Sequence, residues 1–237
     1  MANWVTHLWI ADIVLKRCPD LDRVGFCVGS IAPDCNVENA DWTSFTPSRE
    51  VTHFMTGKRK CMKDAERFFE RYISERSFAS AQEEGFFWGY FAHLVADAKQ
   101  QEMQRDEKRV RDSFKRIEKI PELAEKIGES EKTFDTMKRL LPKADRLQDF
   151  ENIEAEYLEN HPDSGYLQVI LPLREFPDYT DFLPKGAIVR KIGIMGEMPV
   201  FRPTNYPFVV VNRQEHIEYI ESAAGFLVEV RRRGRME

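Results

Sequence analysis

Residues 85–102, GFFWGYFAHLVADAKQQE, are the most apolar and aromatic stretch of this 237-residue chain. Read as a helix, the stretch distributes Phe86, Phe87, Trp88, Tyr90 and Phe91 around its whole circumference. A helix that is apolar on every side belongs inside a protein, so other helices must surround it. Yet it carries His93 and Asp97, four residues apart. At that spacing both side chains point the same way, with β-carbons ~6 Å apart. A buried carboxylate is tolerated only when paired or bound to a metal. Two arrangements satisfy it here. One is a direct His–Asp hydrogen bond. The other is a shared cation, since imidazole nitrogen and carboxylate oxygen are common ligands of hydrolytic zinc.

Helical periodicity dominates the rest of the chain. Over residues 3–17 it places Trp4, His7, Leu8, Ala11, Val14 and Leu15 on one stripe, ended by Pro19. Residues 20–29 form a short second helix closed by Gly29. SIAPDCNVENADWTSFTPSRE then reads as a long loop, and loops of that length are often functional. Further helices are expected over 62–75, 82–104, 105–160 (broken near Pro121 and Pro142) and 212–233. The prolines and glycines of 165–206 mark an irregular segment with room for short helices. No stretch shows strand alternation. The expected fold is therefore a single all-α, multi-helix domain over 1–237. Residues 1–104 would carry the site, and 105–237 would form a helical second half able to stand as a subdomain.

Composition narrows the partners. The formal net charge of −5 argues against a general nucleic-acid or anionic-membrane binder. No run approaches the ~20 apolar residues of a membrane span. MANWVTHLWIADIVLKRC lacks the basic start of a signal peptide and is interrupted by Asp12, so a soluble, cytoplasmic protein is expected. Cys18, Cys27, Cys35 and Cys61 form no C-x-x-C pair and read as free thiols.

Three of the five histidines, His7, His53 and His93, lie in the first hundred residues among apolar neighbours: THLWI, VTHFM and FAHLV. Asp34, after a proline in SIAPD, joins Asp97 as a second carboxylate in an unusual setting. Four pieces of this half occur together: Thr6-His7, Gly29-Ser-Ile-Ala-Pro-Asp34, Thr52-His53-Phe54, and G-Y-x-x-H-x-x-x-D from Gly89 to Asp97. In content and order they resemble the zinc-dependent phospholipases C, relatives of the S1/P1 nucleases, over roughly residues 1–103. The resemblance implies an all-α bundle of that type. It implies that His53, His93, Asp34 and Asp97 hold one zinc, and that Asp97 bridges to a second metal also bound by His7. The family has further histidines and a glutamate after the H-x-x-x-D motif. Here that segment reads AKQQEMQRDEK, without histidine, so one or two ions are expected, of zinc or another divalent metal.

The implied activity is hydrolysis of a phosphoester, in a small molecule or a phospholipid head group, with Asp34 as ligand, general base or both. The alternative is a non-catalytic descendant that keeps a metal for structure. The HD type of helical phosphohydrolase is disfavoured, because Phe54 and Leu94, not aspartates, follow His53 and His93. Gln101 shares the face of His93 and Asp97. Glu102 reads as a solvated helix end, His161 as an exposed turn residue, and His216, between Glu215 and Glu218, as a residue of a solvated helix unless that helix covers the site.

Overall fold

The computed structural model describes residues 3–233. Its centre is α5 (Ala81–Arg105). Ser80 starts this helix by accepting a hydrogen bond from the Glu83 amide, and Glu83 and Glu84 place negative charge in its first turn. Phe86, Phe87 and Tyr90 are fully buried and Trp88 and Phe91 nearly so, as a helix apolar all round requires.

Helix α1 (Trp4–Arg17) packs against α5 and against α11 (Arg213–Arg233), the last helix. Helix α2 (Arg23–Gly29) lies along α5 at backbone distance. Glycines make that approach possible. A β-carbon on Gly29 would stand 2.0 Å from the Phe86 carbonyl oxygen, and one on Gly89 would stand 2.1 Å from that of Phe26. Helix α4 (Met62–Tyr72) covers another side, stacking Phe68 on Tyr90 with ring centroids 4.5 Å apart.

The long loop after α2 is more ordered than its composition suggests. It opens with a 3-10 turn, Ala32–Asp34, and contains a two-stranded antiparallel hairpin, β1 (Val37–Glu38) and β2 (Phe45–Thr46). It closes with a single helical turn, α3 (Arg49–Thr52). The hairpin corrects the expectation of no strand. Each strand has only two residues, too few to show alternation in the sequence.

Helices α6 (Glu107–Ile117), α7 (Pro121–Ile127) and α8 (Phe134–Leu140) enclose a smaller apolar cluster with Val209, Val210 and Val211. Pro121 is the first residue of α7, where its missing amide costs nothing. Helix α9 (Lys143–Asn160), a π-helical turn (Tyr166–Ile170), α10 (Ala187–Met195) and α11 all contribute to the main core around α5. The fold is all-α. No helix among the described residues is long and apolar enough to cross a membrane.

Arg231, in the last turn of the final helix, does more than place a cation at a helix C-terminus. Its guanidinium is nearly buried over the Trp88 ring and pairs with Asp20 and Glu84.

Candidate metal centre

His7, Asp34, His53, His93 and Asp97 come from α1, the 3-10 turn, the end of α3 and the middle of α5, and they meet in one place. Two overlapping triads fit the spacing of metal ligands: His7, His93 and Asp97, and Asp34, His53 and His93. His7, His53, His93 and Asp97 are each at most 2 % exposed. The Asp34 side chain keeps 18 % of its surface open.

Backbone carbonyls orient two of the rings. His93 Nδ1 lies 2.9 Å from the Ser30 carbonyl oxygen. A carbonyl only accepts, so Nδ1 carries the proton and the Nε2 lone pair faces inward. His53 Nδ1 lies 3.2 Å from the Arg49 carbonyl and 2.9 Å from the Thr52 hydroxyl, which sets the same tautomer. The two Nε2 atoms then face each other at 3.3 Å. In the tautomer those contacts set, neither Nε2 has a proton to give the other, so two lone pairs point at one spot. A cation between them removes that conflict.

The surrounding oxygens fit the same idea. Asp34 Oδ1 is 3.4 Å from His53 Nε2, and Asp97 Oδ2 is 3.3 Å from His93 Nε2 and 3.6 Å from His53 Nε2. Ligands on a tetrahedral zinc at ~2.0–2.1 Å are separated by ~3.3–3.4 Å. The four measured edges lie at or near that length. The residues present therefore fit a divalent ion.

Electrostatics point the same way. Burial pushes the imidazoles of His7 and His53 below their ordinary range, which keeps them neutral and able to ligate. Burial alone would raise both carboxyls. Contact with the His53 and His93 imidazoles and the charge of Lys60 outweigh it at Asp34. Lys60 and His93 do the same at Asp97. Both carboxylates are held ionised. His7 stacks on His93 with ring centroids 3.9 Å apart, and neither of its nitrogens has a hydrogen-bond partner in the protein. A buried imidazole with both nitrogens unpartnered is costly, and a second ligand position is one way to satisfy it.

Tyr90 supports the site from beneath. Its hydroxyl donates to the Thr52 carbonyl at 2.6 Å, fixing the turn that ends in His53. Tyr90→Phe leaves that buried carbonyl without its donor, so a loss of about 1–2 kcal/mol is expected. Urea unfolding measures it, and an unchanged midpoint would show that the bond contributes nothing.

Asp34 is where the cluster reaches solvent. It lines a cleft of about 510 Å³, together with Trp42, Phe45, Arg49, Lys143 and Lys191. The cleft also takes in Glu151, Glu154 and Glu197, so its charge is mixed. Glu154 is fully buried. It accepts hydrogen bonds from the Thr6 amide and hydroxyl and from Asn3, tying α9 to the start of α1. A second hollow of about 420 Å³, lined by Lys99, Asp106 and Glu215 among others, is lined by none of the five site residues.

The other candidates lie outside the cluster. Glu102 is an exposed helix-end residue near Lys99. Gln101 accepts from Arg105. His161 is exposed and stacks on Tyr157. His216 overturns its expectation as a residue of a solvated helix. It is fully buried among Trp9, Phe150 and Tyr219, with Nε2 3.3 Å from the Thr6 hydroxyl, because α11 packs on α1. It belongs to neither ligand triad. The cysteines are free, and none joins a ligand group. Sequence reasoning missed Lys60, whose ammonium pairs with Asp97.

No protein-family model matches the chain, and no match was found among curated proteins or solved structures.

Proposed function

We propose that the protein is a divalent-metal-dependent phosphoester hydrolase, with zinc the ion best suited to its donors. The observation that carries this reading is the pair of imidazole nitrogens facing each other at 3.3 Å, flanked by two ionised carboxylates. Asp34, His53, His93 and Asp97 would hold one ion, and His7 is the remaining candidate ligand. When bound, the ion supplies positive charge for phosphoryl oxygens and lowers the pKa of a coordinated water toward neutrality.

The chain's own groups would do the rest. Asp34 is the cluster residue that lines the cleft, so it can ligate and can also take the proton of an attacking water. Arg49 and Lys143 offer positive charge for the phosphate, while Trp42 and Phe45 offer apolar surface for its substituent; Lys191 on the same wall is buried and paired with Glu38. The substrate would be a small phosphoester or a phospholipid head group, in a cytoplasmic setting. The resemblance of the four motifs to zinc-dependent phospholipases C supports the same reading.

A second reading is a non-catalytic protein stabilised by its ion. The near-complete burial of four of the five ligands favours it. Elemental analysis of purified protein tests both. Wild type should hold close to one equivalent or more of a divalent metal, and His93→Ala should hold none. Chelation should lower the melting temperature, since an ion at 100-fold its Kd stabilises the folded state by ~2.7 kcal/mol. Turnover of a chromogenic phosphodiester or a phosphorylcholine ester then separates the readings. A metal-free wild type with an unchanged melting curve in chelator would overturn both.

A further inference from the structure

Lys60 lies in the loop between α3 and α4, in the run Gly57-Lys-Arg-Lys60. Lys58 and Arg59 are exposed there. The Lys60 side chain turns inward until only 11 % of its surface is open, and its ammonium pairs with Asp97 Oδ2. That is the same oxygen that stands 3.3 Å from His93 Nε2 and 3.6 Å from His53 Nε2. A protein-borne cation thus sits on a ligand atom of the metal centre.

The two ligand triads share His93. Its Nδ1 is committed to the Ser30 carbonyl, so it has one lone pair to give, and that lone pair serves one ion. An ion in the second triad would then depend on His7 and on Asp97, where Lys60 already stands. Charge leads to the same limit. Asp34 and Asp97 are the two carboxylates of the triads. One divalent ion balances them, and the ammonium adds one positive charge for an anionic substrate. A second divalent ion would stand against both cations with no further carboxylate in either triad.

We infer that Lys60 is a resident cation of this site, competing with a divalent ion for Asp97 and confining the cluster to a single ion. The inference rests on the metal-centre reading above. Its test is zinc binding, measured by calorimetry and elemental analysis, in wild type, Lys60→Met, Lys60→Arg and the control Lys58→Met. Wild type should take up one equivalent. Removing the like charge beside the ion in Lys60→Met should tighten zinc binding by about tenfold or more. Lys60→Arg and Lys58→Met should stay within about twofold of wild type on the same argument. Lys60→Met also leaves the buried Asp97 unpaired, so zinc should raise its melting temperature more than that of wild type. This second readout serves if the metal-free variant is unstable.

Two equivalents in wild type would overturn the inference, as would equal zinc affinity and equal melting shifts in wild type and Lys60→Met. Either result leaves the metal centre standing. Absence of zinc uptake by both proteins would remove the metal centre itself. Uptake by Lys60→Met alone would also overturn the inference, since the ammonium would then exclude the ion altogether and not confine the cluster to one.

Discussion

Gly29→Ala is expected to abolish stable folding or to cost more than about 4 kcal/mol, a large part of the ~5–15 kcal/mol that holds a domain together. The β-carbon would overlap the Phe86 carbonyl oxygen at 2.0 Å and the Tyr90 amide nitrogen at 2.8 Å. Both obstacles are backbone atoms within α5, which cannot rotate aside as a side chain can. Helix α2 would have to separate from α5. That separation would carry Ser30 away from His93, because the Ser30 carbonyl that orients the ring follows directly on Gly29. Two controls isolate the effect. Gly57 lies in an exposed loop with nothing within 4 Å of its would-be β-carbon, so Gly57→Ala should change stability by less than about 0.5 kcal/mol. Gly225 lies inside α11 with the same open space, and Gly225→Ala should stabilise by about 0.5–1 kcal/mol. Urea unfolding compares all three. A wild-type midpoint for Gly29→Ala would disprove the backbone contact between the helices.

The second large effect concerns pH. Burial raises the Glu154 carboxyl from 4.5 to about 7, even against the hydrogen bonds from Thr6 and Asn3 that favour its ionised form. Burial lowers His216 from 6.5 to about 4. Both touch the Thr6 hydroxyl. Between pH 4.5 and 7 the folded protein holds more protons at Glu154 than the unfolded chain does. Stability from this group is therefore full below 4.5 and declines as pH rises, by about 3 kcal/mol in total. His216 acts in the reverse sense. Its contribution is full above 6.5 and is lost as pH falls toward 4, also by about 3 kcal/mol. In wild type the two largely cancel.

Single variants expose each contribution. Relative to wild type, Glu154→Gln should become more favourable by about 3 kcal/mol as pH rises through its window. His216→Phe, which suits the aromatic surroundings of that ring, should become less favourable by a similar amount as pH rises through its own. Urea unfolding at several pH values from about 4 to about 8 reads both differences. Parallel curves for wild type and both variants would show that neither group changes its proton affinity on folding.

The helical architecture and the five cluster residues were legible in the sequence for local reasons. His93 and Asp97 stand out because residues 85–98 are otherwise apolar or glycine. His7 and His53 stand among apolar neighbours, and Asp34 follows a proline. Other features depend on tertiary placement alone. Lys60 has the same sequence surroundings as Lys58 and Arg59, and only the path of the loop turns one of the three inward. Glu154 lies in a run with Glu151, Glu156 and Glu159, and only the face that α9 presents to α1 distinguishes it. His216 could have been found. It continues the stripe of Tyr219, Ile220, Ala223 and Leu227 along α11, but its acidic neighbours Glu215 and Glu218 mask that stripe, and Glu215 is itself part-buried against Arg116.

Residues 85–98 of α5 are buried without a break, and helices or loops enclose them on all sides. Amide protons along those turns should exchange with solvent only through global unfolding, at rates set by the full stability of the protein. His93 and Asp97 thus belong to the part of the molecule that opens last. An incoming solute meets a fixed wall on that side, and any yielding must come from the outer surface where Asp34 faces the cleft and Lys60 closes its loop.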